Sequence, residues 1–266
     1  MSSAMAETLP LILLPPSEGK ADGGDGSPWS PGAMAIDLDT RRARVIAALA
    51  TAMRRSEAER GRLLGVKGAT LATATAANRS AATSSTMPAI ERYTGVLYDT
   101  LDHRSLPPAH RRRLDASAVI VSGLWGLVAP TDPIPDYKLK MGVKLGRLGA
   151  LSRWWRDELS ERLAEHATDR PVWNLLPNEH AAAWRAPEGS RQWTVSFLEP
   201  GRDGALTVVS HRNKVLKGAL VRFLLANPSA GVDELVEWQH PLGFRYDPSR
   251  DEVRADLTIL SLVQQA

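Results

Sequence analysis

A single mixed α/β domain, with a mixed central sheet flanked by helices, is the fold this sequence predicts. Three observations carry the expectation. Strand-like and helix-like periods intersperse along all 266 residues, no low-complexity linker or internal repeat divides them, and an apolar content of 43% is enough for one large core. Residues 1–266 are therefore read as one domain.

The elements follow in chain order. "LPLILLPPSEGK" (residues 9–20) opens as a short buried strand and runs into a proline-stiffened corner presenting Ser17, Glu18 and Lys20. "ADGGDGSPWSPG" is rich in residues that favour turns and left-handed backbone, so it reads as a surface loop. "TRRARVIAALATAMRR" places Val45, Ile46, Leu49 and Met53 at helical spacing with arginines around them. Ser56 stands three residues before Glu59, the spacing of a capping box, and opens a short helix that stops where Gly65 can turn left-handed. "ATLATATAANR" is the next helix, so residues 57–79 form a helix pair around "GVKG".

"MPAIERYTGVLYDTLD" puts Pro88 at a first helical position, with Ile90, Val96, Leu97 and Leu101 on an apolar side. In "LDASAVIVSGLWGLVAP" the period changes, and residues 118–121 read as a buried strand released by "SGLWG". Pro130, Pro133 and Pro135 make "TDPIPDYKLKMGVKLG" an extended, ordered loop. "SRWWRDELSERLAEH" is an amphipathic helix, "PVWNLLP" a strand and "NEHAAAWR" a short helix. "RQWTVSFLE" and "ALTVVSHR" alternate as the strands of a hairpin around "PGRDG". "NKVLKGALVRFLLAN" is a helix with Val215, Leu216, Ala219, Leu220 and Phe223 inward and Lys214, Lys217 and Arg222 outward; "GFRYD" and "VRADLTIL" close the chain as strands.

Composition removes several functions. There is no cysteine, which excludes disulfides, zinc ribbons and thiolate nucleophiles and suits a reducing cytosol. The apolar run before Pro15 is too short to span a membrane and lacks the basic flank of a signal peptide, so a cytoplasmic protein without a membrane partner is expected. His103, His110, His166, His180, His211 and His240 are scattered without ligand spacing; neither a metal nor another cofactor is expected. A net charge of +3 permits an anionic partner without requiring one.

The chemistry-bearing stretches leave alternatives open. Ser17 and Lys20 have S-x-x-K spacing, but Gly19 and two preceding prolines oppose the helix that a catalytic Ser–Lys pair needs, and no SDN or KTG triplet follows. The Gly19-Lys20 pair lacks the remainder of a P-loop, so Lys20 is left as a point charge for an anion. "NEH" and "SHRNK" gather polar groups after predicted strands. In "LLGVKGATLA", Gly65, Val66, Lys67 and Gly68 form either a hairpin whose N–H groups grip a DNA phosphate or a glycine C-cap followed by another helix. Lys138, Lys140, Lys144 and Arg147 form a second basic run, and Lys214, Lys217 and Arg222 a third; converging on one groove they would follow a nucleic-acid backbone, with Tyr93, Tyr98, Trp125 or Tyr137 to stack on bases.

"PPSEGK", "RYTGVLYDTLD", "SGLWGLVAPTDPIPDYKLKMG", "NLLPNEH" and "SHRNKVLKGALVRFLL", in that order, resemble the YaaA family of bacterial peroxide-stress proteins. The resemblance runs from about residue 11 to residue 246 and is nearest the subgroup with "PPSEGK" rather than "SPAK". It implies an unusual mixed α/β fold, a positively charged cleft, a helix-hairpin-helix element, DNA binding with little sequence preference, and a part in limiting iron-dependent oxidative damage. Carried over by motif, Ser17, Lys20, Tyr93, Gly95, Tyr98, Gly123, Gly126, Pro133, Tyr137, Lys140, Asn174, Glu179, Lys214 and Gly218 fall in the signatures. His180 departs from the tyrosine common in the family, and the "GVKG" hairpin is one residue wider than usual.

Two functions follow as expectations. A DNA binder would use Gly65, Val66, Lys67, Gly68, Lys138, Lys140, Lys144, Lys217 and Arg222 on the backbone of duplex or branched DNA. The polar signature exceeds what phosphate contact requires, so an enzyme acting on a nucleotide- or nucleobase-like molecule stands beside it. Its candidate residues are Ser17, Lys20, Tyr93, Tyr137, Glu179 and Lys214, with a lysine holding the anion and a tyrosine or Glu179 moving a proton.

Overall fold

In the computed structural model, residues 9–201, 204–209, 212–227, 231–254 and 256–265 are described. Strand β1 (Leu11–Leu14) is followed by helices α1 (Asp39–Ala52), α2 (Glu57–Leu64) and α3 (Gly68–Ser80). A short strand β2 (Met87–Pro88) leads into α4 (Ala89–Arg92), α5 (Val96–Leu101) and α6 (Pro108–Ser117). Next come β3 (Ala118–Ser122), β4 (Gly126–Val128), β5 (Pro133–Ile134), α7 (Leu151–His166), β6 (Val172–Asn174) and the single turn α8 (Asn178–Ala181). The last part carries β7 (Gln192–Pro200), β8 (Leu206–Val208), α9 (Asn213–Ala226), α10 (Asp233–Glu237), β9 (Phe244–Tyr246), β10 (Glu252–Arg254) and β11 (Leu257–Gln264).

Among the described residues the main sheet has nine strands, ordered β10-β11-β7-β6-β1-β3-β4, with β8 on β7 and β9 on β11. Strands β11, β7, β6, β1 and β3 run parallel, and β4, β8, β9 and β10 pair antiparallel to their neighbours. This is a mixed α/β fold. All four residues of β1 are buried, the pattern of a parallel strand covered on both faces. Ile12 lies opposite Ala118 of β3 on one side and Trp173 of β6 on the other. The chain thus leaves β1 in one direction to make β3 and returns past it to make β6. The carboxyl end of β1 is a topological switch point, where open α/β sheets leave a crevice.

The two ends of α2 follow local rules closely. Ser56 accepts from the Glu59 amide while Glu59 reaches back to Ser56, and Gly65 closes α2 at φ 67°. Tertiary contacts override local patterns elsewhere. "MPAIERYTGVLYDTLD" is two helices, not one, because Thr94 donates its amide to the Gly19 carbonyl (3.1 Å) and Gly95 takes φ 100° between them; Val96 is exposed as a result. Arg42 is buried inside the arginine-rich first helix, bonded to the carbonyls of Trp125 (3.0 Å) and Leu127 (2.9 Å). Lys217 and Arg222 turn inward on α9, donating to the carbonyls of Leu175 (3.0 Å) and Leu101 (2.7 Å). Strands β7 and β8 pair as the expected hairpin, though Arg202 and Asp203 of its turn lie outside the described residues, as do Ser210 and His211 of "SHRNK".

Candidate functional site

Three adjacent parallel strands end at one place. The chain leaving β1 carries Ser17 and Lys20, β3 ends in Ser122, and the chain leaving β6 carries Glu179 and His180. Pro16, Ser17, Glu18, Lys20, Tyr137, Lys138, Lys140, Glu179 and His180 line a cavity of about 50 Å³ there. Its floor is fixed by backbone pairing. Ala21 donates to the Arg92 carbonyl (2.8 Å) and Lys20 bridges to Tyr93, so the β1 corner is laid against the α4–α5 break.

Lys20 Nζ donates to the Ser17 carbonyl at 3.1 Å and sits 4.2 Å from the centre of the Tyr137 ring and 5.6 Å from that of Tyr93. Desolvation lowers its pKa to about 8; Asp136 and Glu18 favour the charged form, whereas Lys138 and Arg92 oppose it. Under Tyr137 runs a chain of hydroxyls. Ser122 Oγ is 2.7 Å from Tyr137 Oη, which is 2.7 Å from Tyr93 Oη. The amides of Leu124 and Trp125 donate to Ser122 Oγ at 3.2 and 3.1 Å and use both of its lone pairs. Ser122 must then donate to Tyr137, whose hydroxyl is in turn hydrogen-bonded to that of Tyr93. Burial pushes the Tyr137 phenol up to about 12 and raises that of Tyr93 well above its ordinary value, so at neutral pH both phenols are protonated.

The mouth holds two cations and one anion. Glu18 takes Lys138 Nζ at 2.8 Å and Lys140 Nζ at 2.9 Å. Hydrogen bonds from Lys138, then Lys140, hold the Glu18 carboxyl at a pKa of about 2. Helix α3 places this segment: Asn78 clamps the Lys138 backbone, accepting from its amide at 2.8 Å and donating to its carbonyl at 2.9 Å. On the other wall, burial lowers His180 to about 4, so it is neutral; its Nδ1 is buried without a hydrogen bond, 3.5 Å from Glu179 Oε1. A Cβ on Gly142 would come within 2.9 Å of Glu179 Oε2, so glycine keeps that carboxylate's place open.

The expected residues therefore divide. Ser17, Lys20, Tyr137, Glu179, Lys138 and Lys140 meet at the cavity, and Tyr93 lies behind Tyr137. Lys214 is exposed on the first turn of α9 and does not line the cavity. Gly65, Lys67 and Gly68 are exposed and Val66 half-buried at the α2–α3 turn. Lys144 lines a separate groove of about 970 Å³ with Arg55, Arg62 and Arg147 on its rim and Ala48, Leu63 and Leu145 among its apolar walls. Lys217 and Arg222 are spent on carbonyls. Ser122 and Asn78 escape sequence reasoning, whereas His180 stands out within "NEH" but is given no role; the "SGLWG" corner signals Ser122, but nothing in the sequence links residue 78 to residue 138.

Among the described residues, no three His, Asp or Glu side chains are grouped to hold a metal ion, and no helix is long and apolar enough to cross a membrane. The sequence profile described as peroxide stress protein YaaA matches residues 11–250. A UPF0246 protein of Streptomyces coelicolor is 43% identical over 244 residues, spanning 89% of this chain and 92% of the relative. A UPF0246 protein of Corynebacterium glutamicum is 37% identical over 218 residues, spanning 80% and 84%, and one of Rickettsia bellii is 27% identical over 175 residues, spanning 65% and 70%.

Proposed function

The chain belongs to the peroxide stress protein YaaA family, and we propose that within it the protein is an enzyme acting on a small anionic, nucleotide- or nucleobase-like molecule where β6, β1 and β3 end. One observation carries this reading: Ser17, Lys20, Tyr137 and Glu179, far apart in sequence, line one cavity at the switch point of the sheet. The Glu18 carboxylate between Lys138 and Lys140 stands where an incoming phosphate or carboxylate would bind. The anion displaces Glu18, Lys140 holds it as a point charge, and the reacting group reaches Lys20, Tyr137 and Glu179. The hydroxyl chain keeps Tyr137 oriented and uncharged, and Glu179 carries the proton.

Adenosine 5′-monophosphate tests the binding step by titration calorimetry. Lys140→Ala removes the point charge and is expected to weaken binding about tenfold, whereas Glu18→Gln removes the internal competitor and is expected to tighten it several-fold. Absence of saturable binding, or Glu18→Gln binding no better than wild type, sinks the reading.

A second observation favours DNA-backbone contact as an accompanying property. Helix α3 begins at Gly68 without a side-chain cap, next to exposed Lys67, and Arg62, Lys144 and Arg147 on the neighbouring groove have no ion pair among the described residues. We place the protein in the cytoplasm and assign it, through its family, to limiting iron-dependent oxidative damage.

A further inference from the structure

Three lysines line the cavity, and two of them are committed. Lys138 and Lys140 both pair with Glu18. Lys20 has no carboxylate within ion-pair distance among the described residues and is held by the Ser17 carbonyl at 3.1 Å and the Tyr137 ring face at 4.2 Å. We propose that Lys20 is an amine nucleophile that forms an imine with the aldehyde of a phosphorylated sugar, such as the ring-opened C1′ of a 2-deoxyribose 5-phosphate unit. This rests on the reading of the cavity as the site of a nucleotide-like anion and gives that anion its reactive group.

The size of the cavity selects such a group. About 50 Å³ has room for a few heavy atoms, so a purine or a whole nucleotide does not enter, but a carbonyl and its carbon do. The phosphate stays at the mouth, on Lys140. The Lys20–Tyr93 bridge fixes the lysine backbone, so Nζ is presented from a rigid corner. Burial supplies the activation, since it disfavours the ammonium and leaves a usable fraction of free amine near neutrality. Lys217 is an internal comparison: burial lowers it to about 8 as well and its Nζ too is bonded to a carbonyl, that of Leu175, but it does not line the cavity.

The step balances without an external reagent. The Nζ lone pair attacks the aldehyde carbon, the carbonyl π pair moves to oxygen, and a proton passes from nitrogen to that oxygen to give the carbinolamine. A second proton reaches the hydroxyl, the C–O bond breaks, water leaves and the nitrogen pair forms the C=N bond. From the ammonium, the sum is lysine-NH₃⁺ plus aldehyde giving a protonated imine and water. Glu179 and neutral His180, whose Nδ1 is unpartnered, are the cavity's proton carriers.

The full-length protein is incubated with sodium cyanoborohydride and either 2-deoxyribose 5-phosphate or a single-stranded oligonucleotide bearing one abasic site, and the peptides are mapped by mass spectrometry. In at least one arm the reduced adduct is expected on Lys20, formed about tenfold faster than on exposed Lys67 or Lys144, with its rate rising through a midpoint near pH 8. The faster arm identifies the source, free sugar phosphate or damaged strand. Lys20→Gln should abolish that adduct; the wild-type peptide map alone decides the matter if the variant fails to fold. No Lys20 adduct in either arm, or labelling of Lys217 or the surface lysines as fast as Lys20, overturns the proposal. If adenosine 5′-monophosphate binds as described above while no Lys20 adduct forms, the imine falls and the binding site stands.

Discussion

Lys20 and Lys217 hold their amines near a pKa of about 8 in the folded chain through desolvation, whereas unfolded lysines titrate near 10.4. Between those values the unfolded state binds more protons, so these two groups make stability rise with pH from about 8 towards 10. Below pH 8 both states carry the protons and the penalty is constant. Replacing Lys217 by Met removes one of two such groups and should roughly halve the rise in thermal midpoint between pH 8 and 9.5; an unchanged slope would mean that the buried amine titrates as an ordinary lysine. The comparison stops below pH 10 because buried Tyr93, Tyr98 and Tyr137, with raised pKa values, then act in the opposite sense. Sequence makes the identity of these residues legible but not their state. Lys217 falls on the face of an amphipathic helix that periodicity assigns to water, and only the nearby Leu175 carbonyl explains why it points inward.

Helix α9 crosses α5 where Gly218 has no side chain. A Cβ there would lie 2.7 Å from the Leu97 carbonyl oxygen and 2.7 Å from Thr100 Cβ. Exposed helix interiors gain about 1 kcal/mol when Gly becomes Ala. Here the neighbour is backbone, which cannot swing aside, and overpacking costs about 1–3 kcal/mol, so Gly218→Ala is expected to lower the denaturant midpoint. A higher midpoint would show that the two helices part freely. Elements with local causes were readable: the Ser56–Glu59 box, the Gly65 stop and the apolar run of β1 all declare themselves. The break between α4 and α5 was not, because its cause is the Gly19 carbonyl, some 75 residues away. That break is what brings Tyr93 to Lys20.

At the scale of the molecule, family signatures pick out the residues of the cavity but not their convergence. Ser17 and Glu179 line one cavity, and Ser122 reaches its Tyr137, because β1 lies between β3 and β6, an ordering that long-range pairing sets. The basic runs divide at the same scale, and this gives DNA binding a discriminating test. Affinity measured against salt should fall steeply, and Lys67→Ala, Lys144→Ala and Arg147→Ala should each lower the log–log slope by about 0.9. Lys217→Ala should leave the slope unchanged, since that amine is occupied inside the fold. A flat salt response in the wild type would remove the DNA reading altogether.

The cavity's two walls differ in how they are held. Ile12 and Leu13 of β1 pair with strands on both sides, whereas Glu179 and His180 ride on a four-residue turn of helix anchored by amides donating to Pro177 and Asn178. Amide hydrogen exchange in β1 should therefore await global unfolding, while that of residues 178–181 should proceed by local fraying. On that expectation one wall lasts as long as the fold does, and the other opens independently of it. A substitution that loosens residues 178–181 should therefore shorten the life of the Glu179–His180 wall alone and leave the β1 wall as durable as the sheet.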